Sequence, residues 1–61
     1  MYTVHALYEL EPEWRVGFYD TQEEAEEVAA DVFEEYLDEV AGVVVRDRWG
    51  EVVWRVGDGD E

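Results

Sequence analysis

Carboxylates are the one reactive group this chain holds in abundance: 18 Asp and Glu stand against four Arg in 61 residues, a formal net charge of -14. Nine of them fall in a single stretch, at Glu23, Glu24, Glu26, Glu27, Asp31, Glu34, Glu35, Asp38 and Glu39. Paired carboxylates can carry out acid–base catalysis or hold calcium. Here their spacing puts them on a convex helical surface, with no pocket to raise a pKa and no loop of oxygen ligands. Asp58, Asp60 and Glu61 look superficially like a calcium run, but so short a terminal segment cannot wrap an ion. His5 is the single histidine and cysteine is absent, which excludes disulfides, thiolate sites and multi-histidine metal sites. His5 itself is expected on a strand's outer face, able to meet Tyr19 across a hairpin. The expectation is a protein with no catalytic residues, no metal and no cofactor, in which 61 residues are too few to enclose a deep active site.

The charge sets the class of partner. A chain at -14 repels DNA, RNA and anionic membrane surfaces, so its natural partners are cationic proteins. No basic leader precedes an apolar run, and no apolar stretch approaches the roughly 18 residues of a membrane span, so a cytoplasmic protein is expected. Lysine, isoleucine, asparagine and serine are all missing.

The elements that must position these groups are legible from periodicity. Residues 21 to 40 read as one helix, with Ala25, Val28, Ala29, Val32, Phe33, Tyr36, Leu37 and Val40 forming a single apolar stripe. Thr21 with Glu24 makes a capping box, and Gly42 sits where a left-handed residue would close the helix. Before it, Tyr2 to Leu10 alternate as a strand, Glu11-Pro12-Glu13 break it, and Trp14 to Tyr19 form a second strand with Trp14, Val16 and Phe18 on the core side. After it, 43–48 and 51–56 flank Trp49-Gly50 as a second hairpin, with Val43, Val45, Val52, Trp54 and Val56 facing inward. The result is an α+β fold, a two-layer ββαββ domain over 1–56 in which one helix covers one face of a four-stranded, mainly antiparallel sheet. Residues 57–61 are expected to be a disordered acidic tail. Trp14, Phe18, Phe33, Tyr36 and Trp54 are expected to fill the core.

This layout sorts charge by face. Arg15, Arg46, Arg48 and Arg55 fall on the side away from the helix, while the helix itself carries nine acids and no base. Its like-charge pairs at i,i+4 are Glu23–Glu27, Glu27–Asp31, Asp31–Glu35, Glu34–Asp38 and Glu35–Glu39, which at about 0.2–0.5 kcal/mol each cost roughly 1–2.5 kcal/mol together. A merely solvated helix would mix in lysine. From Glu23 to Glu39 the carboxylates span about 24 Å, one charge per roughly 3 Å, close to the 3.4 Å axial spacing of phosphates on one DNA strand. Glu9, Glu11 and Glu13 are candidates to extend the rod.

In size, acidity, hairpin-helix-hairpin layout and this run from Glu23 to Glu39, the chain resembles the small phage-encoded, DNA-mimicking inhibitors of bacterial defence, the anti-CRISPR and anti-restriction class. No motif accompanies the likeness. The resemblance implies an inhibitor acting in the host cytoplasm, whose acidic helix blocks the basic, nucleic-acid-binding groove of a CRISPR or restriction complex by competition and not by chemistry. The alternative is a small halophilic cytoplasmic protein whose acidity is adaptation to salt and whose sheet face mediates subunit assembly. On that second face Tyr19, Arg46, Arg48, Trp49 and Arg55 are the candidate contacts, and monomer and homodimer both remain open.

Overall fold

The computed structural model describes residues 1–8 and 13–57. It contains β1 (Tyr2–Leu7), β2 (Trp14–Tyr19), α1 (Gln22–Glu35), β3 (Gly42–Arg46) and β4 (Val52–Gly57), the expected ββαββ order. All three strand pairings are antiparallel and the sheet order is β2-β1-β3-β4. The two hairpins are therefore joined through β1 and β3, which become the central strands. Alternation in these two strands gives one fully covered face: Val4, Ala6, Val43 and Val45 are completely buried under the helix.

The helix meets them through Ala25 and Ala29, also completely buried. Two alanines at i,i+4 let the helix backbone approach the sheet closely, so the centre of the core is made of alanine and valine. Large rings do not fit there. Tyr2, Tyr8, Tyr19, Phe33, Tyr36 and Trp54 instead pack round its edge, half-buried. Trp14 is also peripheral and 45% exposed, edge-on to Tyr36 with ring centroids 6.3 Å apart. This corrects the expectation of an aromatic core.

Two register shifts correct the expected faces. Between Val4↔Gly17 and His5↔Arg15, strand β2 has one extra residue, Val16. The bulge reverses the parity of the residues beyond it: Tyr2 opposes Tyr19 on the helix side, and Thr3 opposes Phe18 on the outer side. Tyr19, expected on the outer face, packs against the core, while Phe18 is left 55% exposed. His5 accordingly faces Arg15 and not Tyr19. A second bulge, between Val45↔Trp54 and Arg46↔Val52, places Val52 opposite Arg46 instead of under the helix.

The helix is shorter than its stripe. Thr21 caps it as expected, its Oγ1 accepting from the Glu24 N–H at 3.2 Å. It ends at Glu35, capped by Tyr36, and residues 36–39 form turns. The Glu39 and Val40 N–H groups both donate to the Tyr36 carbonyl, at 2.8 and 3.0 Å. The last helical turn carries two carboxylates and no base at the negative end of the helix dipole, which weakens continuation. Breaking there lets Val40 turn into the core and brings the Ala41 N–H to the Leu7 carbonyl at 2.7 Å, which starts β3 beside β1. Leu37 is left 56% exposed. Gly42 is the first residue of β3 and not a helix cap; the positive-φ glycines are Gly50 and Gly57. Gly57 belongs to β4, and the rest of the expected acidic tail, 58–61, lies outside the described residues, as do Glu9, Leu10, Glu11 and Pro12.

Thr21→Ala removes the oxygen that satisfies an orphan helix N–H. A loss of about 1 kcal/mol is expected, read as a lower urea midpoint with an unchanged slope. No helix of the described residues is long and apolar enough to cross a membrane.

Candidate functional site

Two opposed surfaces gather the charged side chains. On the helix, Glu23, Glu24, Glu27, Asp31, Glu34 and Glu35 are exposed, and Glu26 is half-buried, accepting from the Gln22 side-chain amide at 2.8 Å. Seven carboxylates therefore line the helix from Glu23 to Glu35, about 18 Å at 1.5 Å per residue. Asp38 and Glu39 are exposed in the turns beyond it. Ending the helix at Glu35 removes the Glu34–Asp38 and Glu35–Glu39 pairs from helical spacing. Three like-charge pairs remain, costing about 0.6–1.5 kcal/mol, so the strain is smaller than the full stripe implies. The Arg46–Glu13 ion pair lies off the helix, and Glu13 also stands near the His5 ring.

Glu13 itself is not an extension of the acidic rod. It lies just ahead of β2 and reaches the outer sheet face, where one of its oxygens stands 3.5 Å from Arg46 Nη2 and 3.7 Å from His5 Nδ1. Strand order explains the meeting: β1 runs between β2 and β3, so His5 has Arg15 on one side and Val44 on the other, while Thr3 has Phe18 and Arg46. His5 Nε2 is 3.1 Å from Thr3 Oγ1. The Arg15 guanidinium lies 4.8 Å above the Phe18 ring. Arg46 Nη1 donates to the Gly50 carbonyl at 3.0 Å. These groups, with Arg48, border a shallow cleft of about 550 Å³ on the side of the sheet away from the helix.

The loop at its rim is built by Asp47. Its Oδ1 accepts from the Trp49 and Glu51 N–H groups, both at 2.9 Å, and Gly50 takes φ +83 to close the turn, as its position between the hairpin strands predicts. Arg48 and Trp49 project from this turn, with Trp49 79% exposed and the Arg48 guanidinium 5.2 Å from its ring. Arg55 lies opposite Val44, which is buried although it faces away from the helix. Among the described residues, no three or more Asp, Glu or His side chains are grouped to hold a metal ion.

No known family, curated protein or solved structure matches this chain. The functional reading therefore rests on the two surfaces alone.

Of the residues singled out from sequence, seven of the nine acids stand on the helix and Asp38 and Glu39 in the turns beyond it, while Tyr19 leaves the second face for the core edge. Sequence reasoning missed the cleft. Arg15 and Arg46 come together with His5 and Glu13 only because β1 pairs with both β2 and β3, and no local signal announces that pairing.

The cleft also fixes the protonation of His5. Burial lowers its pKa from the ordinary 6.5; the Glu13 carboxylate opposes this, and the Arg46 and Arg15 charges reinforce it. The folded protein thus holds His5 neutral where the unfolded chain begins to bind a proton. Its contribution to stability is complete above about pH 6.5 and is lost as pH falls through the lowered folded value. Urea midpoints between pH 8 and pH 5 are expected to fall more steeply for the wild type than for His5→Gln. Equal slopes in the two proteins would rule this out.

Proposed function

We propose that this chain is a non-enzymatic binding protein whose helix face occupies a basic, nucleic-acid-binding surface and keeps nucleic acid out of it, as DNA-mimicking inhibitors of CRISPR or restriction complexes do. The observation that supports this reading is the spacing of the helix acids: seven carboxylates over about 18 Å, one per roughly 3 Å, against 3.4 Å for phosphates on one strand. Asp38 and Glu39 continue the run. The described arginines stand on the other side of the sheet, so none neutralises it. A groove of lysine and arginine built for a phosphate backbone meets the same charge density on a rigid rod, and the mechanism is occupancy and like-charge repulsion of DNA. Such a protein works in the cytoplasm of the cell whose complex it blocks.

The test is competition. Capture of a basic nucleic-acid-binding protein should be displaced by duplex DNA, weaken steeply with salt, and disappear when the helix charge is reversed. Binding indifferent to both salt and DNA would refute the reading.

A second reading is favoured by one observation: Phe18 and Trp49, 55% and 79% exposed, flank the arginines on the side of the sheet away from the helix. There the acidity is adaptation to salt, and the sheet face serves subunit assembly. Under it, changes at Arg46, Arg55 and Trp49 matter and those on the helix are silent.

A further inference from the structure

The outer cleft has a chemistry of its own, separate from the helix. Three of the four arginines border it, and the two acids beside them are not equivalent. Asp47 has one oxygen held by the Trp49 and Glu51 N–H groups. Glu13 is the acid left to answer Arg46 and His5, and it does so poorly. Its distances of 3.5 and 3.7 Å exceed the 2.7–2.9 Å of a charge-assisted hydrogen bond. Arg46 Nε and His5 Nδ1 are shielded from solvent and have no hydrogen-bond partner among the described residues. Native proteins rarely leave such groups unmatched, and each one asks for an explanation.

We propose that this cleft is a binding site for a small oxyanion, a carboxylate or phosphate group held by Arg46 with Arg15 and Arg48 beside it. The anion takes the place of the Glu13 carboxylate, whose side chain is 43% exposed and free to turn into water. Bonded at proper length, it gives Arg46 the partner that Glu13 does not, and a protonated His5 adds a further donor. Exposed Phe18, already stacked under Arg15, offers an apolar wall for the body of an organic anion. The chain's negative charge does not forbid this. The cleft and the helix lie on opposite faces of the sheet, so the outward-facing helix acids stand farther away than the roughly 8 Å over which physiological salt screens charge.

The experiment is a titration of the isotopically labelled full chain with inorganic phosphate and, separately, benzoate, at constant ionic strength. The readouts are the His5 ring and the arginine Nε–Hε resonances. Saturable shifts confined to His5, Arg15, Arg46 and Arg48 are expected for at least one anion, with the His5 pKa rising as the site fills. Saturation by phosphate alone identifies a phosphate site, and by benzoate alone a site for organic carboxylates. Arg46→Gln and the more exposed Arg15→Gln should each weaken binding about tenfold, as loss of a charge-assisted bond does. Glu13→Gln, which removes the competing carboxylate, should tighten it severalfold. That gain distinguishes a binding site from a merely structural cluster and does not depend on whether Arg46→Gln folds. Shifts that stay linear to the highest concentration with both anions, or binding unchanged by Glu13→Gln and Arg15→Gln alike, would overturn the proposal.

Discussion

Gly57→Ala is expected to destabilise the domain by about 2–5 kcal/mol, from a left-handed backbone penalty of about 1–2 and an overpacking cost of about 1–3. Gly57 sits at φ +93, where a side chain is disfavoured. A Cβ there would stand 2.6 Å from Phe33 Cε1, 2.9 Å from Gly42 Cα and 3.0 Å from the Ala41 carbonyl oxygen. The Phe33 ring can swing aside at some loss of packing. The Gly42 and Ala41 backbone cannot, because Gly42 pairs with both Leu7 and Gly57 and anchors the start of β3. For a domain whose whole stability is about 3–5 kcal/mol, that loss leaves a large unfolded fraction at room temperature. Gly50→Ala is the control. Gly50 has a similar φ of +83 but nothing within 4 Å of its added Cβ, so it should cost only the backbone penalty, about 1–2 kcal/mol. Urea denaturation followed by circular dichroism separates the two, and equal losses would mean that the end of β4 is not packed under Phe33.

That residue 57 matters at all was not legible in the sequence, where Gly57 reads as the start of a glycine- and aspartate-rich tail. The fold class was legible, because the alternation in Tyr2–Leu7, the β-branched run Val43-Val44-Val45 ahead of a Trp49-Gly50 turn and the stripe from Ala25 to Phe33 together point to strands around one helix. Strand order was not: hairpin signals are local, and the pairing of β1 with β3 depends on how the helix returns the chain. The bulges were the costliest omission, since one extra residue reverses every later side chain in a strand. A signal did exist for the first. Gly17 is a glycine inside a strand, and an added Cβ there would lie 2.9 Å from the Tyr19 hydroxyl oxygen. The bare glycine makes room for that ring to fold over the strand toward the core. The helix end was hidden for a different reason: Tyr36, Leu37 and Val40 keep helical spacing, yet the acids around them sit against the dipole, and Val40 reaches the core only from a turn.

The same contrast holds for the two surfaces. The acidic face needed only helical periodicity, which survives the shortened helix. The cleft needed three strands in register and a loop glutamate folded back over them, and sequence spacing encodes none of that.

Reversing Glu27, Asp31, Glu34 and Glu35 to lysine is expected to abolish capture of a basic nucleic-acid-binding partner, a loss of at least about 100-fold, while the fold survives. All four side chains are exposed and outside the core, so no packing is lost. The stability terms nearly cancel. Glu23 and residue 27 become an attractive pair, the pairs 27–31 and 31–35 stay repulsive with opposite sign, and lysines at 34 and 35 complement the helix dipole; the net change should lie within about 1 kcal/mol. Net charge moves from -14 to -6, so the variant remains acidic and solubility alone does not change the outcome. At the interface, four attractions become like-charge contacts, which cost several kcal/mol together and act first on the association rate. Circular dichroism at about 0.1 M and at multimolar potassium chloride completes the experiment. A wild-type chain that unfolds cooperatively at low salt carries its charge without needing the salt. If the quadruple variant then folds equally well and still binds, the helix face is not the contact. If the wild type folds only in concentrated salt and the variant no longer needs it, the carboxylates answer to the solvent, and the arginine side of the sheet is where function has to be sought.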